Sequence, residues 1–157
     1  MTKETLAYIA GFLDGDGCIM LQLVYRHDYV LGYQIRASVV FYQKNQYEWF
    51  LSWLKKQFNN VGYIRDRKDG MSEYTIVGGK NVKKVLQLLS PYFRLKKKQA
   101  EIALKVISQM PGTGRKMTKD KLLNLAKDVD LFLELNYSKR RTNTSVKLKE
   151  FFESKHS

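Results

Sequence analysis

Near its N-terminus the chain runs "AYIAGFLDGDGC", Ala7 to Cys18, and no other stretch constrains the fold as much. Residues 4–14 read as a helix that is apolar almost all round. Leu6, Ile9 and Leu13 form a stripe of large side chains. Ala7, Ala10 and Gly11, spaced i, i+3 and i+4, form a second stripe of small ones. A helix apolar on several sides is buried on several sides, and small residues let another backbone approach closely. The helix is therefore expected between its own core and a second surface. It ends in Asp14-Gly15-Asp16-Gly17. Carboxylates sit badly at a helix C-terminus, where the dipole is already negative, at about 0.3–1 kcal/mol each. A C-cap and turn explain the glycines but not the acids. A carboxylate beside the free carbonyls of a helix end makes a hard-oxygen site for a divalent ion such as Mg2+, which would offset the penalty.

Two strand patterns follow. In "CIMLQLVYR", Ile19, Leu21 and Leu23 share a parity against Met20, Gln22, Val24 and Arg26. In "YQIRASVVFYQ", Ile35, Ala37, Val39 and Phe41 face one side, and Gln34, Arg36 and Ser38 the other. Residues 27–32 connect them as a hairpin loop. Asn45 is expected to open a helix, with Glu48 completing a capping box. "VGYIRDR" and "SEYTIV" form a second hairpin through Asp69-Gly70. Helices at 80–89, 97–110, about 119–134 and 144–154 complete the chain.

This order predicts an α+β fold: an αββαββα core with a four-stranded antiparallel sheet, helices on one face, and extra C-terminal helices. The 157 residues fit one domain, with the core at about 1–110 and a helical extension at about 115–157.

The uncovered sheet face would carry Gln22, Arg26, Gln34, Arg36, Ser38, Arg65, Arg67, Glu73 and Thr75. Arg and Gln in place of the usual Lys and Glu favour base-edge recognition in a DNA major groove. The plainer alternative is a solvated face with cross-strand ion pairs around Arg65, Asp66, Arg67 and Glu73. The net charge of +13 points to a polyanion. "RLKKK" (94–98, with Lys96 and Lys98), "RKMTKDK" (115–121, with Arg115 and Lys116) and "SKRR" (138–141) suit phosphate contacts. One cysteine excludes an internal disulfide, and two isolated histidines argue against a His-based metal site. No membrane span, signal peptide, phosphate loop or hydrolase elbow is legible.

Taken whole, "IAGFLDGDG" (Ile9 to Gly17) resembles the motif of the LAGLIDADG homing endonucleases. "FYQKNQYEWF", "VGYIRDRKDG" and "PYFRLKKKQA" resemble the single-motif, intron-encoded members of that family. The resemblance implies a homodimer on a long pseudo-palindromic double-stranded DNA site, cutting both strands with Mg2+ (Mn2+ substituting) to leave 3′ overhangs. It makes Asp16 the catalytic metal ligand, beside the Gly15 carbonyl. It places Ala7, Ala10 and Gly11 between the motif helices of two subunits, with Asp14 supporting that junction. Gln43 would organise water at the cut, and Lys96 would be a basic residue of the pocket. Where the family has a second basic residue this chain has Tyr47; Lys44 or Lys98 could take its place. Ser138, Lys139 and Arg141 match a phosphate-contacting loop, and the sheet's Arg and Gln residues match base-reading strands.

The alternative is a non-cleaving nucleic-acid binder on the same scaffold, an intron RNA maturase or a DNA-binding regulator. A ribosome-associated basic protein would explain the charge but not the acids. The expected compartment is an organelle (chloroplast or mitochondrion) or a microbial cytoplasm, with no targeting segment.

Overall fold

A computed structural model describes residues 1–112, 114–136 and 143–155. Helix α1 (Lys3–Asp16) starts where the Thr2 hydroxyl accepts the Thr5 N–H at 3.1 Å. It passes without a turn into strand β1 (Gly17–Tyr25), followed by β2 (Tyr33–Lys44). Helix α2 (Glu48–Gln57) leads to β3 (Tyr63–Asp66) and β4 (Met71–Val77). Helices α3 (Gly79–Leu89), α4 (Lys97–Gln109), α5 (Lys119–Glu134) and α6 (Ser145–Ser154) follow.

The sheet is antiparallel throughout, in the order β1-β2-β4-β3. Odd residues of β1 and β2 (Ile19, Leu21, Ile35, Val39, Phe41) and even residues of β4 (Tyr74, Ile76) point into the helical layer. They meet Ile9 and Leu13 of α1, Leu51 and Leu54 of α2, Leu86 of α3 and Ala103 of α4. The same cluster continues into Phe132 of α5 and Leu148 of α6, so the C-terminal helices share the core. Phe151 of α6 packs edge-on against Tyr25 and Tyr33, bracing the β1–β2 hairpin. None of the described helices is long and apolar enough to cross a membrane.

Two local expectations need correction. Helix α1 does not stop at Asp14 for a turn. It runs through Asp16, and the Gly17 N–H closes on the Leu13 carbonyl. A Cβ on Gly17 would overlap the Leu13 side chain, so only glycine allows so abrupt a change from helix to strand. The capping box at Asn45 is not formed either. Asn45 begins a 3₁₀ turn, its Oδ1 accepts from Ser72 Oγ at 2.7 Å, and α2 begins only at Glu48. The neighbouring Asp66 carboxylate, with its hydrogen bond, raises the pKa of Glu48.

Candidate active site

The two acids at the end of α1 have opposite environments. Asp14 is 9% exposed and accepts three backbone N–H bonds: from Arg94 at 2.8 Å, Leu95 at 3.2 Å and Lys96 at 3.0 Å. Lys96 Nζ donates back to the Asp14 carbonyl at 2.5 Å. One carboxylate thus clamps the segment before α4 onto the tip of α1, and carries Lys96 to that tip. Asp16 is exposed, and its carboxylate has no hydrogen bond or ion pair among the described residues. Gly15 is exposed too, and carbonyls of a last helical turn lack intrahelical donors. Carboxylate and carbonyl oxygen form a donor set suited to Mg2+ or Ca2+. No group of three or more His, Cys, Asp or Glu suited to a metal exists among the described residues.

Gln43 lies two residues beyond the Gly17–Phe41 pair, at the sheet end where α1 arrives. Its Oε1 accepts the Lys44 N–H at 2.9 Å. A groove of about 670 Å³ runs from Gly15 and Lys96 past Cys18 and Tyr42 to Gln22 and Lys98. Of the two cations considered for the place of Tyr47, Lys98 shares this groove. Burial pushes the Cys18 thiol up, against a smaller downward pull from Lys96.

The open sheet face consists of even residues in β1 and β2 and odd residues in β3 and β4. Gln22 lies opposite Arg36, Val24 opposite Gln34, and Arg65 opposite Glu73. Gln22, Gln34, Arg36, Arg65 and Arg67 are exposed. The cross-strand ion pair of the plainer reading is present, since Arg65 Nη2 donates to Glu73 Oε1 at 2.5 Å, while Arg67 pairs with Asp69 in the β3–β4 turn at 2.7 Å. A guanidinium has five N–H donors, which leaves others free. Ser38 and Thr75 occupy the expected face but are buried, at 4% and 6% exposure, beside Cys18, Met20, Val40 and Val77. The middle of the face is therefore largely apolar, and Ser38 and Thr75, expected to contact DNA, are buried there. Arg26 falls just past β1: its guanidinium grips Asp28 at 3.0 and 2.8 Å and stacks over Tyr29, so it belongs to the hairpin tip. Arg115 and Lys116 are exposed between α4 and α5, lining a groove with Val30, Leu31 and Gln34. Ser138, Lys139 and Arg141 lie outside the described residues.

The small-residue stripe divides. Ala10 is fully buried in its own core and Asp14 is turned inward, so neither side chain is available to a second subunit. Ala7 and Gly11 are exposed, and a Cβ on Gly11 would meet nothing within 4 Å. On the same helix as these two, Tyr8 packs edge-on against Phe50 and Trp53 of α2, and Trp49 is largely exposed.

A motif helix ending in a free carboxylate against an antiparallel sheet with one basic open face defines a class. The chain belongs to the LAGLIDADG endonuclease family, whose model matches residues 9–105. It is 37% identical to the DNA endonuclease I-CvuI of Chlorella vulgaris, over 92% of this chain and 87% of that protein. It is 38% identical to the DNA endonuclease I-CreI of Chlamydomonas reinhardtii, over 97% and 91%. The crystal structure of I-CvuI with the I-CreI target in 2 mM Mg, its DNA not cleaved, matches with a TM-score of 0.91 at 34% identity, over 99% and 96% of the two chains. The archaeal intron-encoded homing endonuclease I-Vdi141I, complexed with DNA, matches at 16% identity with a TM-score of 0.82, a likeness of fold alone.

Proposed function

We propose that this protein is a sequence-specific endonuclease of double-stranded DNA, working as a homodimer with a divalent metal ion. The observation that carries this reading is the division of labour at the end of α1, where Asp14 holds the scaffold and Asp16 is left free beside Lys96. A carboxylate without a partner, at the end of a helix that runs into the edge of a basic sheet, serves a metal-dependent enzyme better than a pure DNA binder. The relatives named as DNA endonucleases, and the I-CvuI complexes prepared with Mg or with Ca, support it.

Asp16 and the Gly15 carbonyl would hold the ion, Mg2+ with Mn2+ substituting. Once bound, it supplies an activated water and stabilises the leaving 3′ oxygen. Gln43 orients water at the sheet end. Lys96, fixed by its bond to the Asp14 carbonyl, places a positive charge where the phosphate gains negative charge, and Lys98 adds a second. Two α1 helices meeting across Ala7 and Gly11 would set two Asp16 carboxylates side by side, one for each strand. The exposed Gln and Arg residues of the sheets then read base edges in the major groove.

The test is selection of cleaved sites from a randomised DNA library in Mg2+, with chelator as the control. A discrete pseudo-palindromic site, cut on both strands only with metal, is the expected result. Tight binding with no cleavage would leave the non-cleaving binder.

A further inference from the structure

Among the groove's side chains that the mechanism above does not use is a tyrosine at its sheet end. Tyr42 is the third-last residue of β2 and lies on the open face. The register of β2 with β4 sets it opposite Glu73, the carboxylate that holds Arg65. The register of β1 with β2 ends at Gly17 and Phe41, so Tyr42 stands one step beyond, where α1 delivers Asp16. It lines the same groove as Gly15, Cys18 and Lys96. The ring is half-buried, and its hydroxyl has no hydrogen-bond partner among the described residues. Tyr74 on the opposite face behaves otherwise, donating its hydroxyl to the Val61 carbonyl at 2.6 Å. A phenol carries an apolar body and a polar tip that ordinarily finds a partner; here the tip opens onto the groove.

We propose that Tyr42 is a substrate-contacting residue of this site, its hydroxyl donating a hydrogen bond to a non-bridging oxygen of a phosphate next to the bond to be cut. The inference rests on the endonuclease reading of the same groove. Burial, with Cys18 and Glu73 nearby, raises the phenol's pKa against an opposing pull from Arg67, so the group remains a neutral donor across the pH range of cleavage.

Tyr42→Phe removes the hydroxyl and keeps the ring. On the site selected from the library, cleavage efficiency (affinity and single-turnover rate combined) should fall about tenfold, the scale of a hydrogen bond to a charged group, with an unchanged melting temperature. Neutral methylphosphonate substitutions, placed one at a time around the cut, supply a readout that ring packing alone would not move. At one position next to the cut, native protein and Tyr42→Phe should become equal. Native-like efficiency of Tyr42→Phe, or a defect that persists at every methylphosphonate, would overturn the proposal. Failure of the endonuclease reading is distinguishable, because native protein would then cleave nothing in Mg2+. The same scan read as affinity in Ca2+ would still decide the Tyr42 contact.

Discussion

Asp14 and Asp16 are two residues apart on one helix, so their side chains leave it about 200° apart. That rotation puts one acid among the backbone amides of residues 94–96 and the other in solvent. Opposite consequences follow. Asp16→Asn removes no contact within the described protomer and should leave folding intact. Binding to DNA in chelator should be retained or improved, since a charge facing phosphate is lost, while cleavage in Mg2+ should fall below detection, because an amide is a poor ligand for a hard dication. Gel shift in chelator beside strand cleavage in Mg2+ checks this; substantial cleavage by the variant would remove Asp16 from the metal site. Asp14→Asn has the other character. It discharges a buried acceptor of three N–H donors and turns one of its two oxygens into a donor facing them. The expected loss is about 2–3 kcal/mol of stability, read by urea unfolding. An unchanged midpoint would show that the clamp carries no stability.

Within the sheet, position along the strands matters as much as residue type. Arg65 spends part of its guanidinium on Glu73, which is mostly buried and so fixes the arginine's direction. The remaining donors point to solvent from a defined place, the condition for bidentate contact with a guanine edge. Arg65→Ala should cost about 1–3 kcal/mol of binding and relax preference at one base pair per half-site. Site selection repeated with the variant is the measurement, and an unchanged profile would mean that this part of the sheet does not read bases. The two neighbouring rows Met20–Ser38–Val77 and Cys18–Val40–Thr75 have little exposed to donate, so the middle of the sheet is suited to shape rather than hydrogen-bond readout.

For the whole molecule, the proposed double-strand cut calls for two Asp16 carboxylates, and the exposed side of α1 is where two copies of the chain are expected to join. Gly11 has open space where a side chain would go. Gly11→Leu should therefore fold as a protomer yet keep a second helix at a distance. Sedimentation should find native protein dimeric at micromolar concentration and on DNA, with half-sites about 10 bp apart centre to centre. The variant should sediment as a monomer with an unchanged circular dichroism spectrum. A monomeric native protein, free and on DNA, would reject the dimer.

The sequence by itself determined the element order, the parity of the strands and the covered face of the sheet, because these depend on periods of 2 and 3.6 that a few residues display locally. It also drew attention to Asp14 and Asp16 together, through the oddity of acids at a helix end; the choice of Asp16 came from the resemblance to the family. Tertiary structure alone decided the rest. The extension of α1 through Asp16 depends on Asp14 finding donors about 80 residues away and on Gly17 fitting against Leu13. Asn45 gave up its capping place because Ser72, on another strand, offered it a bond. Ala10 and Gly11 are equally small, yet one is core and the other surface. Arg26, one residue past the end of β1, turned to Asp28 instead of joining the reading face. In each case the deciding partner lies beyond the element's own pattern, so the periodicity that betrays an element carries no record of it.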